Sequence, residues 1–153
     1  MNQKNIAILY ICTGQYVNLW ERFYETCEKY FLPKHKKTYF IWSDSKPKPF
    51  VNNIVFTYIK WFPSPHAMMN RYHHFMMREN DLKNYDYCFF FNSNVEFKGE
   101  VNDEVIPVDV PFCAAENIAQ FCSDKESRLD IIKNKYWTNC PASPAFMPFE
   151  HWK

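Results

Sequence analysis

The chain has 153 residues, 47% of them hydrophobic and 23% charged, with a formal net charge of +1. That balance describes one globular domain with a sizeable core and excludes a disordered chain. It also argues against nucleic-acid binding, which needs a basic face, and no apolar run approaches the roughly 20 residues of a membrane span.

Asn5 to Cys12 is a continuous apolar run that stops at Thr13-Gly14, so it reads as a strand closed by a turn. Asn18 is placed to cap a helix in which Leu19, Trp20, Phe23, Cys27, Tyr30 and Phe31 recur at helical spacing, and Pro33 ends it. Lys37 to Trp42 reads as a second strand closed by Ser43-Asp44-Ser45, and Lys46-Pro47-Lys48-Pro49 as a polar, extended loop. Asn53 to Lys60 is a third strand. Pro63 and Pro65 make the next stretch a loop before a helix from about His66 to Glu79. Asp81 to Tyr85 turns the chain into a fourth strand, Asp86 to Phe91. Its apolar run halts at Asn92-Ser93-Asn94, the pattern of a strand buried on both faces and ended by turn formers. Lys98 to Asp109 is polar and turn-rich, Ser123 to Lys135 reads as a short charged helix, and Pro141, Pro144 and Pro148 exclude regular structure near the end.

Strands alternating with helices predict an α/β fold with a largely parallel central sheet in a single domain, 1–153, with residues 6–97 as a nucleotide-binding half. Parallel crossovers put the ends of the first and fourth strands on one rim. The aromatic share of 20% predicts a core built from Phe and Tyr, with stacking platforms as a second use. The only glycines, Gly14 and Gly99, exclude glycine-rich phosphate loops. The cysteines, Cys12, Cys27, Cys88, Cys113, Cys122 and Cys140, form no CxxC pair and follow no signal-peptide pattern. Reduced, structural thiols and a cytoplasmic location, soluble or membrane-peripheral, are therefore expected. A zinc site from Cys113, Cys122, Cys140 and His151 would match no common spacing. His73 and His74 are adjacent, so one is expected in the core and one outside, with no metal pair between them.

Four signatures line up: Ile11-Cys12-Thr13-Gly14-Gln15-Tyr16, Met68-Met69-Asn70-Arg71, Phe89-Phe90-Phe91-Asn92-Ser93-Asn94, and Ser143-Pro144-Ala145-Phe146-Met147-Pro148. As a set they resemble glycosyltransferase family 6, the retaining α1,3-galactosyl and N-acetylgalactosaminyl transferases. The likeness is to bacterial members, which carry Asn-x-Asn where vertebrate members carry Asp-x-Asp. It is dense from Ile6 to Phe97, thin from Lys98 to Pro141, and returns at Ser143 to Pro148. It implies a GT-A-type nucleotide-sugar-binding fold, truncated at its C-terminus, with 98–153 an incomplete acceptor-side portion.

The resemblance also implies residue roles. Ile11, Cys12 and Thr13 match the backbone edge that reads uracil, and Tyr16 the ring that stacks on it; an ordinary helix-entry Tyr is the other reading. Arg71 matches a donor-site arginine, whose planar fork suits phosphate or sugar hydroxyls, against a plain surface cation on an amphipathic helix. Asn92, Ser93 and Asn94 match the metal motif, with a strand-ending turn as the alternative. Neutral amides cannot hold a divalent ion as carboxylates do, but they hydrogen-bond ribose, sugar or phosphate. No divalent-metal cofactor is therefore expected. None of Glu96, Glu100, Glu104 or Glu150 matches the family's catalytic glutamate, which is expected beyond Lys153. The implied activity is transfer of galactose or N-acetylgalactosamine from its UDP-sugar, in α1,3 linkage, to a galactoside acceptor that is expected to be fucosylated. A truncated, inactive UDP-sugar-binding domain and a GT-A-type transferase with another donor are the alternatives.

Overall fold

The computed structural model describes residues 2–63 and 69–107. Four apolar runs pair there as β1 (Asn5–Ile11), β2 (Lys36–Ser43), β3 (Ile54–Tyr58) and β4 (Tyr87–Phe91). Every pairing is parallel and the order is β3-β2-β1-β4. The chain divides into two units, Met1–Ile106 and Pro107–Lys153, and all described residues except Pro107 belong to the first. Met68, the helix at Ser123–Lys135, the Ser143–Pro148 segment and the set Cys113, Cys122, Cys140 and His151 lie outside the described residues.

Alternation along each strand sends side chains to two faces. One face carries Ile6, Ile8, Tyr10 and Cys12 of the β1 region with Tyr39, Ile41 and Ile54, packed on Trp20, Phe23 and Cys27 of α1 (Trp20–Tyr30). The other carries Ala7, Leu9, Phe40 and Trp42, covered by Phe75 of α2 (Arg71–Met76) and Leu82 of α3 (Glu79–Leu82). The result is the expected α/β layering. Its aromatic content fills the interior: Tyr10 stacks on Phe23 with centroids 4.4 Å apart, and Phe31 meets Phe89, Phe91 and Phe97 at 5.0–5.1 Å. Trp42 packs against Phe40 and Phe75, although its buried indole N–H has no acceptor among the described residues.

Several local expectations need correction. Asn18 does not cap the first helix: Gly14–Leu19 winds as a 3₁₀ turn, and Leu19 holds the cap position with no side-chain hydrogen bond. That helix ends at Tyr30, before Pro33, because Phe31 becomes extended and enters the core, and Leu32 takes φ of 46°. The buried Lys37 ammonium donates to the carbonyls of Cys27, Glu28 and Phe31 at 3.2, 3.3 and 2.7 Å, closing the carbonyl end of α1. A cation there satisfies orphan acceptors and complements the helix dipole. Lys37→Met keeps the stem and removes those bonds, so urea denaturation should show a loss of about 1–3 kcal/mol.

The expected helix running to Glu79 is interrupted after Met76, where Arg78 leaves helical geometry. Its guanidinium reaches β3, donating to Thr57 Oγ1 at 2.9 Å and to the Phe56 carbonyl at 3.3 Å. β4 is half-buried, not sealed on both faces, with Cys88 exposed, because β4 is an edge strand among the described residues. The Lys46–Pro49 loop is not simply solvated: Pro47 is fully buried and the Pro49 carbonyl accepts the Trp20 indole N–H at 2.9 Å. The stretch after Phe97 returns to the α1 face, where Val101 exchanges backbone hydrogen bonds with Tyr30 and Leu32. Val101, Val105 and Ile106 pack against that core. His73 is exposed as expected of one of the pair, but His74 is only half-buried.

Candidate functional site

In a parallel sheet, ligands bind at the carboxyl ends of strands where the strand order reverses. From β1 the chain runs outward to β2 and β3, and then returns to the other side of β1 as β4, so the reversal lies between β1 and β4. Their register, with Tyr10 opposite Phe91, brings Ile11, Cys12 and Thr13 beside Asn92, Ser93 and Asn94.

On the β1 side, the Cys12 N–H donates to the Trp42 carbonyl at 3.0 Å, and the Cys12 carbonyl accepts from Ser43 Oγ. The main chain of Cys12 is thus committed within the fold, and the Thr13 carbonyl accepts the Tyr16 N–H at 3.3 Å. The Cys12 thiol is buried, and burial pushes its pKa up to about 12, with Asp44 adding and Ser43 opposing. It is an inert packing group, not a nucleophile. Gly14 follows at φ 60°, a left-handed conformation that suits glycine. Its N–H donates to Asp44 Oδ1 at 2.8 Å. Tyr16 sits in the 3₁₀ turn and is 57% exposed, so its ring is open to a partner and contributes little to the core.

On the β4 side, Asn92-Ser93-Asn94 is a strand-ending turn, closed by the Val95 N–H donating to the Asn92 carbonyl at 3.1 Å. The Tyr10 hydroxyl donates to the Ser93 carbonyl at 2.9 Å and ties the turn to the core. Burial raises the Tyr10 pKa, so this donor keeps its proton. Asn92 and Asn94 are exposed, and their side chains have no hydrogen-bond partner among the described residues. Their amides are therefore presented on a fixed turn. Tyr10→Phe removes one bond of about 0.5–1.5 kcal/mol. Thermal unfolding should show that modest loss.

Arg71 is the first residue of α2. Its guanidinium lies over the Phe90 ring of β4, 4.2 Å from the centroid. Burial lowers its pKa and neighbouring Tyr72 opposes the shift. A fork held on an aromatic face is pre-positioned for oxygen anions. Glu96, in contrast, is engaged by Lys98 at 2.7 Å and Arg22 at 2.6 Å. Among the described residues no group of three or more His, Cys, Asp or Glu side chains is arranged to hold a metal ion.

A cavity of about 490 Å³ opens elsewhere, lined by Asn5, Lys36, Thr38, Arg78 and Asn84 among others. It lies toward the amino ends of β1 and β2, opposite the reversal point, so the rim is the better candidate.

The chain is similar to the O-antigen biosynthesis glycosyltransferase WbnI of Escherichia coli, with 32% identity over 98 residues. The match covers 63% of this chain and 42% of that relative, so the chain spans less than half of the relative's length. No protein-family model matches. The likeness is to a glycosyltransferase, an enzyme class that takes an activated sugar donor and a glycan acceptor.

Two rim residues escaped the sequence reading. Asp44 looked like part of a polar strand ending, and Trp61 like part of a proline-bounded loop. An acid at the carboxyl end of a strand next to β1 was the signal available for Asp44. Nothing local marked Trp61. Among the described residues no helix is long and apolar enough to cross a membrane.

Proposed function

We propose that this chain carries the donor site of a retaining glycosyltransferase resembling family 6, with a GT-A-type fold and no need of a divalent metal. The substrates in this reading are UDP-galactose or UDP-N-acetylgalactosamine and a galactoside acceptor, with α1,3 linkage. The observation that carries it is the pair of exposed Asn92 and Asn94 amides, held by Tyr10 at the strand-order reversal. The similarity to an O-antigen glycosyltransferase supports the same reading.

In this account Tyr16 stacks on uracil while the backbone at Ile11, Cys12 and Thr13 reads its edge. The Asn92 and Asn94 amides hydrogen-bond ribose, sugar or diphosphate, and Arg71 offsets charge on the departing UDP. Fixed donors and a cation aimed at developing charge can do part of a metal's electrostatic work. Retention passes through an oxocarbenium-like transition state that a carboxylate stabilises. Glu96 is unsuited to that role, being already committed to Lys98 and Arg22.

Calorimetric titration with UDP, UDP-galactose, ADP and GDP tests the proposal. The uridine ligands should bind at least about tenfold more tightly than the purine ones, a difference of about 1.4 kcal/mol. Equal affinity for all of them, or none for any, would remove the donor reading.

A further inference from the structure

Trp61 is a rim aromatic that the donor reading leaves without a task. The chain leaves β3 with the Ile59 N–H donating to the Ser43 carbonyl at 3.0 Å, so it is still paired to the end of β2. Two residues later the Trp61 indole reaches the turn after β1. Its Cδ1 and Nε1 atoms lie 3.2 Å from where a Cβ on Gly14 would stand. The segment after β3 therefore crosses the carboxyl ends of the strands toward the reversal point. Gly14 serves it in two ways, by its left-handed backbone and by leaving room for the indole.

This contact does not bury the ring. Trp61 remains 52% exposed, and Tyr16, two residues past Gly14, is 57% exposed. Two large aromatic side chains thus stand open around one glycine, on the rim where a nucleotide would lie. A nucleobase presents a flat π-face to such rings, and stacking on them tolerates differences in base identity.

We propose that Trp61, seated on Gly14, is a second aromatic wall of the base subsite and stacks on the uracil of the bound nucleotide; this rests on the donor reading. Its contribution is affinity for the base, separate from the diphosphate contacts of Arg71 and the asparagines. The ring is half-exposed, so replacing it should leave the fold intact, as circular dichroism would confirm.

The test uses the full chain, with UDP as ligand, in wild type, Trp61→Ala and Trp61→Phe. Trp61→Ala should weaken UDP binding about five- to hundredfold, the range of one base–aromatic stack. Trp61→Phe should keep most of the affinity yet lose the UDP-induced quenching of tryptophan fluorescence expected of wild type. Wild-type affinity in Trp61→Ala, or full quenching in Trp61→Phe, would overturn the proposal while leaving the donor reading standing. Failure of the wild-type protein to bind UDP would overturn both.

Discussion

Phe23→Ala should lower stability by about 3–5 kcal/mol, the usual cost of emptying a buried aromatic site. Phe23 is fully buried, with ring contacts to Tyr10 at 4.4 Å, Trp20 at 6.0 Å, Phe91 at 5.8 Å and Phe97 at 6.1 Å. It joins α1 to β1, to β4 and to the segment after β4. Because domains of this kind are stable by only about 5–15 kcal/mol, one such loss removes a large share. The cavity would open beside Tyr10 and Phe91, the two side chains flanking the Asn-Ser-Asn turn. UDP binding should therefore weaken along with stability. Urea denaturation should show a lower midpoint with an unchanged slope. A loss below about 1 kcal/mol would mean that the surrounding rings collapse into the space without cost.

The second large effect concerns charge. Asn92→Asp combined with Asn94→Asp puts two carboxylates on an exposed turn where the account places a diphosphate. At about 4 Å, like charges repel by about 1 kcal/mol in water and by several in a partly desolvated site. Without metal, UDP affinity should therefore fall by at least about tenfold, equal to about 1.4 kcal/mol. Manganese should restore it, because two carboxylates supply the oxygen ligands a divalent ion needs. The turn should survive the change, since it is held by backbone groups and by the Tyr10 hydroxyl and not by the amides themselves. Unchanged metal-free binding in the double variant would remove Asn92 and Asn94 from the phosphate contacts.

Much of the fold was legible because its strands are apolar runs punctuated by turn formers. The runs at Asn5–Ile11 and Tyr87–Phe91 announced themselves by composition, and α1 by its spacing of Trp20, Phe23 and Cys27. What was not legible depended on partners distant in the chain. The break between α2 and α3 occurs where Arg78 reaches Thr57, which no local propensity reports. The start of α1 was misjudged because the left-handed Gly14 sends the chain through a 3₁₀ turn first. Burial of β4 was overestimated because hydrophobicity does not tell a central strand from an edge strand.

The site followed the same division. The Asn-Ser-Asn turn was readable from its residues, while its anchor is a tyrosine on another strand. Asp44 and Gly14 meet across 30 residues of chain, and Trp61 reaches Gly14 only because the segment after β3 crosses the rim. Cys12 shows the converse. Its backbone N–H and carbonyl hydrogen-bond Trp42 and Ser43 of β2. Side-chain identity alone does not reveal that commitment.

The most direct measurement is a calorimetric titration of the wild-type chain with UDP, once in EDTA and once with manganese. The account predicts clear binding in EDTA and an affinity that manganese changes by less than about threefold, under 1 kcal/mol. Binding that vanishes in EDTA and returns only with manganese would contradict it.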